Sequence, residues 1–330
     1  MKILITGSTG LVGSEAVKFF TEKGWEVVGI DADMRHKFLG TPSKVNEIED
    51  GSSYSKAIDI RVELDLEDLF RREAPFDAII HAAAQPSHDY SKKHVMEDFS
   101  VNAVGTLNML EATKKYSPNA VFVHCSTDKI YGVGMMRSEL LEGETRYDHL
   151  FPFTETTPIV SPLSPFGVSK LYADFIVQEY AKQGWLTTGV FRMGCITGRA
   201  HEGAEMHGFL AYLTKCIKEG KMYKIFGFKG KQIRDQIHAY DLVNAFYHFI
   251  QNPKSGEVYN MGGGEERGVS VLEAGRLISE KTGKEFKYEL REGRFGDRQW
   301  DVHDVTKFKT DYPEWEYKYS LQDIIDDLCS

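Results

Sequence analysis

The chain has 330 residues, of which 42% are hydrophobic and 27% charged, with a formal net charge of −9. This size and composition predict a globular core with a smaller lobe attached. No long basic run is present, which argues against nucleic acid as a partner, because phosphate binding needs clustered Lys and Arg. The apolar N-terminal stretch is too short for a signal peptide, and no apolar run has the length of a membrane span, so we expect a cytoplasmic protein without a membrane partner.

The cysteines are widely separated in the sequence. They lack the paired spacing of a metal site, so we expect reduced structural thiols and no bound metal. The four positions are Cys125, Cys195, Cys216 and Cys329.

Short apolar runs alternate with helix-like segments through the first half of the chain. This alternation predicts βαβ units, a parallel sheet covered on both faces and right-handed crossovers. The predicted strands are Lys2–Thr6, Glu26–Ile30, Lys56–Ile60, Ala78–His81, Ala120–His124 and Thr187–Arg192. The predicted helices are Val12–Lys23, Leu64–Glu73, Val101–Tyr116, Ser164–Gln183 and Asp241–Gln251.

The predicted fold class is α/β, with a Rossmann-type doubly wound parallel sheet and a smaller mixed α/β C-terminal lobe that binds the substrate. We expect the sheet domain to span residues 1–193, with residues 232–262 returning to it. The lobe would then comprise residues 194–231 and 263–330. The polar stretch Arg35–Ser55 is expected to be a surface excursion after the second strand.

A glycine-rich turn follows the first predicted strand and opens the first predicted helix. Gly7 permits the tight turn, Gly10 lets the backbone approach a pyrophosphate, and Gly13 lets the helix pack closely on the sheet. The helix N-terminus offers N–H groups and a positive dipole end to the phosphates. The turn therefore predicts a dinucleotide site formed by Gly7, Thr9, Gly10, Leu11, Val12 and Gly13.

Asp31 closes the second predicted strand, at the distance from the turn that a dinucleotide fingerprint requires. Its carboxylate can accept hydrogen bonds from the adenosine ribose and would repel a 2′-phosphate, which favours NAD over NADP as the cofactor. Asp33 is a second carboxylate nearby, suited to the same site or to the surface. Asp59 and Ile60 end the third predicted strand, where a side chain reaches the adenine, although Asp59 also suits a helix cap.

A series of short motifs follows in fixed order over almost the whole chain. After the glycine turn they are Asp59–Arg61, His81–Ala84, Val101–Thr106, Ser126–Gly132, Ser164–Lys170 and Ile233–His238. With these motifs the sequence resembles the extended short-chain dehydrogenases, in particular the NAD-dependent nucleotide-sugar epimerases and dehydratases. Within that family it most resembles the CDP-paratose 2-epimerase group, also called CDP-tyvelose epimerases.

The resemblance extends the expected cofactor site. Further cofactor contacts are implied for Ala82, Ala83, Ala84 and Asn102. The resemblance also implies a homodimer in which the helices Val101–Tyr116 and Ser164–Gln183 pair with those of a second copy. The amphipathic pattern of these helices is consistent with such a bundle.

The family's chemistry moves a hydride from a sugar carbon to NAD and returns it on the other face, while a tyrosine takes the hydroxyl proton. A lysine four residues later lowers the pKa of that tyrosine and holds the nicotinamide ribose. The resemblance implies that Lys170 is this lysine. It also implies that Thr127 holds the substrate hydroxyl that loses its proton. The tyrosine position holds Phe166, which can neither take nor give a proton. As written, the chain is expected to be a poor catalyst or an inactive one.

Two interpretations of Phe166 stay open. The residue is either an engineered change that removes one oxygen and keeps the ring, or the natural residue of a protein that binds NAD or a nucleotide sugar without turnover. Because Thr127, Lys170, Asp31 and the glycine turn are intact, we favour the engineered interpretation.

The residue pair Asp128 and Lys129 bears on the reaction type. The family's 4,6-dehydratases carry Asp and Glu at these positions for the loss of water, so the missing carboxylate favours plain epimerisation. The resemblance implies epimerisation at C2 of a CDP-hexose through a transient keto intermediate. Epimerisation of a UDP-sugar at C4 is the alternative, because both reactions orient a similar nucleotide sugar.

Substrate phosphates need cations, and the resemblance suggests Arg234 and Arg298. The planar guanidinium suits phosphate oxygens, although a surface salt bridge is the alternative role for each arginine. Arg192 follows the sixth predicted strand and is expected to face the site. Further candidates for sugar or base contacts are Gln85, Asp128 and His207.

Overall fold

The computed structural model describes residues 1–34, 53–132, 140–160, 164–198, 208–294 and 297–330. Within these ranges no helix combines the length and apolar character needed to cross a membrane. The chain divides into two compact units. Unit 1 comprises Met1–Ile130, Ser164–Arg192 and Leu242–Tyr259, and unit 2 comprises Tyr131–Leu163, Met193–Asp241 and Asn260–Ser330.

The described residues form fifteen strands and eleven α-helices. The strands are β1 (Lys2–Thr6), β2 (Glu26–Asp31), β3 (Ser53–Ala57), β4 (Ala78–His81), β5 (Val121–Thr127), β6 (Leu141–Glu142), β7 (Tyr147–Asp148), β8 (Thr187–Met193), β9 (Cys195–Thr197), β10 (Tyr223–Phe226), β11 (Ile233–His238), β12 (Glu257–Met261), β13 (Gly268–Ser270), β14 (Tyr288–Arg291) and β15 (Trp300–Asp301). The α-helices are α1 (Leu11–Glu22), α2 (Glu63–Glu73), α3 (His88–Lys93), α4 (Val95–Phe99), α5 (Gly105–Tyr116), α6 (Pro165–Lys182), α7 (Phe209–Lys218), α8 (Ala239–Gln251), α9 (Val271–Thr282), α10 (Thr306–Asp311) and α11 (Leu321–Cys329).

A seven-stranded sheet with the order β12-β8-β5-β4-β1-β2-β3 is the framework of the predicted dinucleotide domain. Strand β1 runs parallel to both β2 and β4, and Leu4 lies opposite Val28 on one side and Ile79 on the other. The order of the strands reverses between β1 and β4, and ligands of doubly wound sheets bind at the carboxyl ends of the strands at such a reversal. The predicted doubly wound α/β fold is therefore confirmed.

The central strands are apolar because helices cover them. Members of one buried cluster come from the sheet and from α2, α5 and α6, so the core lies between the strands and these helices. Its fully buried members include Leu4, Val28, Phe70, Ile79, Leu110, Phe122, Val177 and Val190.

Unit 2 contains a second, smaller mixed sheet. In this sheet β11 pairs in parallel with β9 and β15 and antiparallel with β13. Strands β10 and β14 pair in parallel as a separate two-stranded sheet. Its own apolar cluster is formed largely by α7, α9 and α11, with Leu213, Ile278 and Ile324 fully buried. This mixed α/β composition agrees with the predicted lobe.

Several differences from the predicted boundaries bear on the site and on the domains. Strand β3 ends at Ala57, so Asp59 lies beyond the strand, where its carboxylate accepts the backbone N–H of Arg61 at 2.9 Å. Of the expected excursion Arg35–Ser55, the last three residues belong to β3, and residues 35–52 lie outside the described residues. Residues 232–241 fall in unit 2, because β11 pairs with β9, β13 and β15.

The segment 131–163 also falls in unit 2, although it was predicted to belong to the sheet domain. The backbone of Phe153 explains this assignment. Its N–H donates to Val302 O at 2.8 Å, and its carbonyl accepts from the Asp304 N–H at 2.8 Å. These bonds join the segment to the chain after β15.

Candidate active site

The turn between β1 and α1 requires glycine at two positions, because a side chain there would clash with the backbone. Gly7 has φ +69°, and a Cβ there would lie 2.8 Å from the Ala83 nitrogen. A Cβ at Gly13 would overlap the carbonyl of Gly7, so the first turn of α1 packs directly on the loop. Gly10 is the N-cap of α1, and no side chain caps the helix there. The helix therefore presents its first N–H groups, as expected for a pyrophosphate site.

Asp31 at the end of β2 is fixed by this turn. Its Oδ2 accepts the backbone N–H of Thr9 at 3.1 Å and the Thr9 hydroxyl at 2.7 Å. Its Oδ1 accepts the N–H of Asp33 at 2.9 Å, and Asp33 itself adopts a positive φ of 53°. The carboxylate is thus oriented beside the turn, in the position from which it is predicted to bind the adenosine ribose.

The loop after β4 is held against the same turn. The Thr6 hydroxyl accepts the N–H of Ala83 at 3.1 Å and bonds His81 Nδ1 at 2.8 Å. Burial lowers the pKa of His81 to about 3, with a smaller contribution from the charge of Lys170, so its ring is neutral at physiological pH. His81 therefore supports the loop Ala82–Ala84 as a hydrogen-bonding residue of the core.

Asn102 lies in a π-helical turn, Ser100–Val104, that precedes α5. Its carbonyl oxygen accepts the Gln85 N–H at 2.9 Å, and its amide donates to Gln85 O at 3.2 Å and Ser169 Oγ at 3.1 Å. The side chain is 1% exposed and joins the β4 loop to α6. This geometry supports a role in shaping the predicted cofactor site.

Asp59 and Ile60 follow β3 in the described structure. The Asp59 carboxylate bonds the guanidinium of Arg61, with Nη2 and Oδ2 separated by 2.5 Å. Burial opposes ionisation of Asp59, but the hydrogen bonds from Arg61 outweigh it, and the pKa of Asp59 is lowered. Ile60 is buried against Gly105, and its carbonyl accepts from Asn108 at 3.1 Å. The predicted adenine contacts of both residues remain predictions.

Thr127 is the last residue of β5. Its hydroxyl donates to Asp128 Oδ1 at 3.1 Å and accepts the Lys129 N–H at 3.3 Å. Lys129 Nζ lies 2.9 Å from Asp128 Oδ2, so Lys129 neutralises the carboxylate that was predicted to contact the sugar. Asp128 is 5% exposed.

Helix α6 begins at a defined cap. Phe166 and Lys170 both lie on this helix, four residues and therefore about one turn apart. Ser164 accepts the Gly167 N–H at 3.1 Å, and Pro165 follows at the first helical position. Lys170 is 4% exposed, and its Nζ donates to Cys125 O at 2.6 Å. Burial lowers the pKa of Lys170 from 10.5 to about 8, against opposing contributions from nearby groups that include two aspartates.

Phe166 is 7% exposed on the first turn of α6. Its ring contacts the imidazole of His88, with ring centroids 4.8 Å apart and an interplanar angle of 55°. His88 is the first residue of a short helix and has no motif around it, so no signal in the sequence points to it.

Two of the predicted substrate-binding side chains form hydrogen bonds with other residues of the protein. Gln85 is fully buried, and its amide donates to Ser87 O at 3.0 Å and Asp98 Oδ1 at 2.6 Å. Arg192 is 5% exposed, and its Nε and Nη2 donate to both carboxylate oxygens of Asp174 at 3.0 and 2.9 Å. Both side chains are therefore used by the fold, and His207 lies outside the described residues.

The predicted phosphate-binding arginines share one carboxylate in unit 2. Arg234 Nε lies 3.3 Å from Asp301 Oδ2, and Arg298 Nε lies 2.5 Å from Asp301 Oδ1. The Arg298 guanidinium also stacks over Phe153, 4.8 Å from the ring centroid. Asp301 was missed in the sequence, although its spacing of three residues from Arg298 is a usable signal. In the described residues no group of three or more His, Cys, Asp or Glu side chains could hold a metal ion.

The sequence model of the NAD dependent epimerase/dehydratase family matches residues 3–262. The chain therefore belongs to this family, and the predicted cofactor class is confirmed. CDP-paratose 2-epimerase of Salmonella typhi is 30% identical over 98% of this chain and 96% of its own length. A dTDP-glucose 4,6-dehydratase of Escherichia coli is 31% identical over 82% of this chain and 75% of its own length.

Solved structures of nucleotide-sugar enzymes share the fold over the full chain. The UDP-glucose 4-epimerase of Thermotoga maritima, solved with UDP-glucose, has a TM-score of 0.84 at 28% identity, covering 99% of this chain and 97% of that one. The UDP-glucose 4-epimerase of Thermus thermophilus, in complex with NAD, has a TM-score of 0.82 at 26% identity, covering 99% of both chains.

Proposed function

We propose that this chain is an NAD-dependent nucleotide-sugar epimerase that acts at C2 of a CDP-hexose through a transient keto intermediate. The observation that carries the proposal is the position of Lys170 in unit 1. Its ammonium is buried against Cys125 O, two residues before Thr127, at the carboxyl end of β5. Buried lysines with a lowered pKa at the carboxyl edge of a doubly wound sheet favour a catalytic role.

The residues around the glycine turn fit a bound dinucleotide. The uncapped N-terminus of α1 would bind the pyrophosphate, Asp31 the adenosine ribose, and Lys170 the nicotinamide ribose. Residues 82–84 and Asn102 would shape the wall on which the dinucleotide lies. When bound, NAD supplies the acceptor and donor of the hydride.

Thr127 would hold the reacting hydroxyl of the sugar, while the charge of Lys170 stabilises the oxygen as its proton leaves. Phe166 occupies the position at which the family's tyrosine is expected, and it lacks the oxygen that carries the proton. We therefore propose that this chain turns over slowly by comparison with a Phe166→Tyr variant.

The choice of C2 and of a CDP-sugar is supported by the full-length similarity to the Salmonella typhi enzyme. The residue at position 129 is a second argument. The family's dehydratases carry Glu there for the loss of water, whereas this chain has Lys129, which pairs with Asp128. Epimerisation of a UDP-sugar at C4 is the alternative that the Thermotoga maritima structure favours. A natural protein that binds NAD and a nucleotide sugar without turnover is the alternative that Phe166 favours.

Arg234 and Arg298 are proposed to bind the substrate diphosphate, because Asp301 orients both guanidinium groups. A contact of Asp128 with the sugar and a contact of His207 with the sugar or base remain part of the proposal.

We also propose a homodimer, formed through α5 and α6. Apolar side chains are exposed at i, i+4 and i+7 on α6, and the ring of Tyr172 lies 5.9 Å from that of Phe99. This patch, carried by α6 and by the end of α4 where the chain leads towards α5, is typical of a helix-pairing interface. The exposed members are Phe99, Val168, Tyr172 and Phe175.

The test of this function compares the chain with its Phe166→Tyr variant on CDP- and UDP-hexoses, with the products separated chromatographically. We expect the variant to epimerise a CDP-hexose about 10²–10⁴ times faster than the original chain, with unchanged NAD content. Phe151→Tyr, which adds the same oxygen to an exposed ring outside the proposed interface, is the matched control and should change nothing. Absence of product from every sugar nucleotide with the Phe166→Tyr variant would refute the proposed function.

A further inference from the structure

The imidazole of His88 lies in contact with the ring that replaces the expected tyrosine. The ring centroids of His88 and Phe166 are 4.8 Å apart, which is van der Waals contact between the two rings. His88 is only partly exposed, and its Nε2 atom is shielded from solvent. An imidazole is therefore present beside the position where the family's phenol would act.

One buried carboxylate, that of Asp98, links the two segments that carry these rings. Asp98 Oδ1 accepts the Gln85 amide at 2.6 Å, and the Gln85 amide oxygen accepts the N–H of Ser87, the N-cap of α3, at 2.5 Å. Asp98 Oδ2 accepts the hydroxyl of Ser169, one turn after Phe166 in α6, at 2.6 Å. The contact between α3 and the first turn of α6 is thus built into the core.

From this geometry we propose that His88 exchanges the proton with the substrate hydroxyl in this chain, in place of the absent tyrosine hydroxyl. The inference rests on the proposed function. In the forward step the O–H bond breaks, its proton passes to the neutral imidazole, and the carbon loses its hydrogen with two electrons to bound NAD. In the return step the carbon regains that hydrogen on the other face, and the imidazolium returns its proton to the oxygen.

Histidine suits this role because its ordinary pKa, about 6.5, allows it to accept and release a proton near neutral pH. The helices packed against α3 are α4 and α6, so their charges also act on the ring. The buried ionisable groups on these helices are Asp98, Lys170, Asp174 and Tyr180, and α3 itself carries the more exposed Asp89, Tyr90, Lys92 and Lys93.

The experiment measures epimerisation by four proteins: the original chain, His88→Gln, Phe166→Tyr, and the two changes combined. We expect His88→Gln to lower the slow turnover of the original chain by about 10²-fold or more. We expect the combined variant to recover turnover, because the tyrosine supplies the proton route again. His94→Gln, an exposed histidine of the same segment, is the matched control and should have no effect.

Two further readouts separate proton transfer from a structural role. NAD content and thermal unfolding of His88→Gln should match those of the original chain. The turnover of the original chain should decrease as the pH is lowered past the pKa of His88. That pKa is measured by NMR, and the His88 imidazole signal is identified as the one that is missing from the spectrum of His88→Gln.

The outcomes distinguish this inference from the proposed function. The inference is wrong if His88→Gln epimerises the sugar as fast as the original chain and with the same pH profile. It is also wrong if only the two proteins that carry Phe166→Tyr are active. In both cases the proposed function stands. If no protein of the four acts on a nucleotide sugar, the proposed function itself fails.

Discussion

The buried ammonium of Lys170 should make the fold less stable than it would be without the charge. A pKa lowered from 10.5 to about 8 corresponds to roughly 3 kcal/mol of destabilisation at neutral pH. Replacement by methionine removes the charge and keeps the volume, but it leaves Cys125 O without its hydrogen bond, which costs about 1 kcal/mol. We therefore expect Lys170→Met to raise the free energy of unfolding of the NAD-free protein by about 2 kcal/mol at pH 7.

The effect should depend on pH in a defined direction. Between pH 8 and 10.5 the unfolded chain keeps the Lys170 proton that the folded chain has released, so the unfolded state binds more protons and stability rises with pH. The advantage of Lys170→Met should therefore disappear across this window. The assay is urea unfolding of the NAD-free proteins at pH 7 and pH 10.5.

Lys182→Met, an exposed lysine on the same helix, is the matched control and should be neutral at both pH values. A Lys170→Met protein that is less stable than the original chain at pH 7, or whose advantage is the same at both pH values, would refute the reasoning. The same variant should lose NAD affinity and turnover, as expected where a functional charge destabilises the fold.

Two predictions concern the substrate and the oligomer. Asp301→Asn should weaken the binding of a CDP-hexose about tenfold with unchanged NAD content, because Arg234 and Arg298 lose the carboxylate that orients them. The affinity is measured by calorimetry, and an unchanged affinity would contradict this prediction. Phe175→Glu should convert a dimer into a monomer in sedimentation, because it places a charge in the exposed apolar stripe of α6, whereas Lys182→Glu should not. A Phe175→Glu protein that sediments as a dimer would exclude this interface.

The sequence predicted those parts of the fold whose signals are local. The bounds of β1 and β4 were predicted correctly, because an apolar run forms the centre of each strand. The start of β3 was missed, since Ser53–Ser55 are polar and pair with β2 although no apolar run marks them. The assignment of 131–163 to unit 2 depends on long-range pairing at Phe153, which no local pattern reveals.

In the candidate site, too, local signals were predicted from the sequence and long-range contacts were not. The glycine turn and Asp31 follow a spacing rule with a steric cause, and the structure brings them together. The substrate contacts of Gln85 and Arg192 stay predictions, and only the fold shows that both side chains also bond carboxylates 13 and 18 residues away, Asp98 and Asp174. His88 has no motif at all, and its contact with Phe166 arises from the packing of α3 on α6.

The central claim is that the glycine turn and Asp31 bind NAD and present its nicotinamide to Thr127 and Lys170. A crystal structure with NAD and a CDP-hexose tests it most directly. We expect the dinucleotide phosphates at the N-terminus of α1, the nicotinamide ribose within hydrogen-bonding distance of Lys170 Nζ, and sugar C2 facing the nicotinamide. A dinucleotide bound elsewhere, or a nicotinamide remote from both side chains, would contradict it.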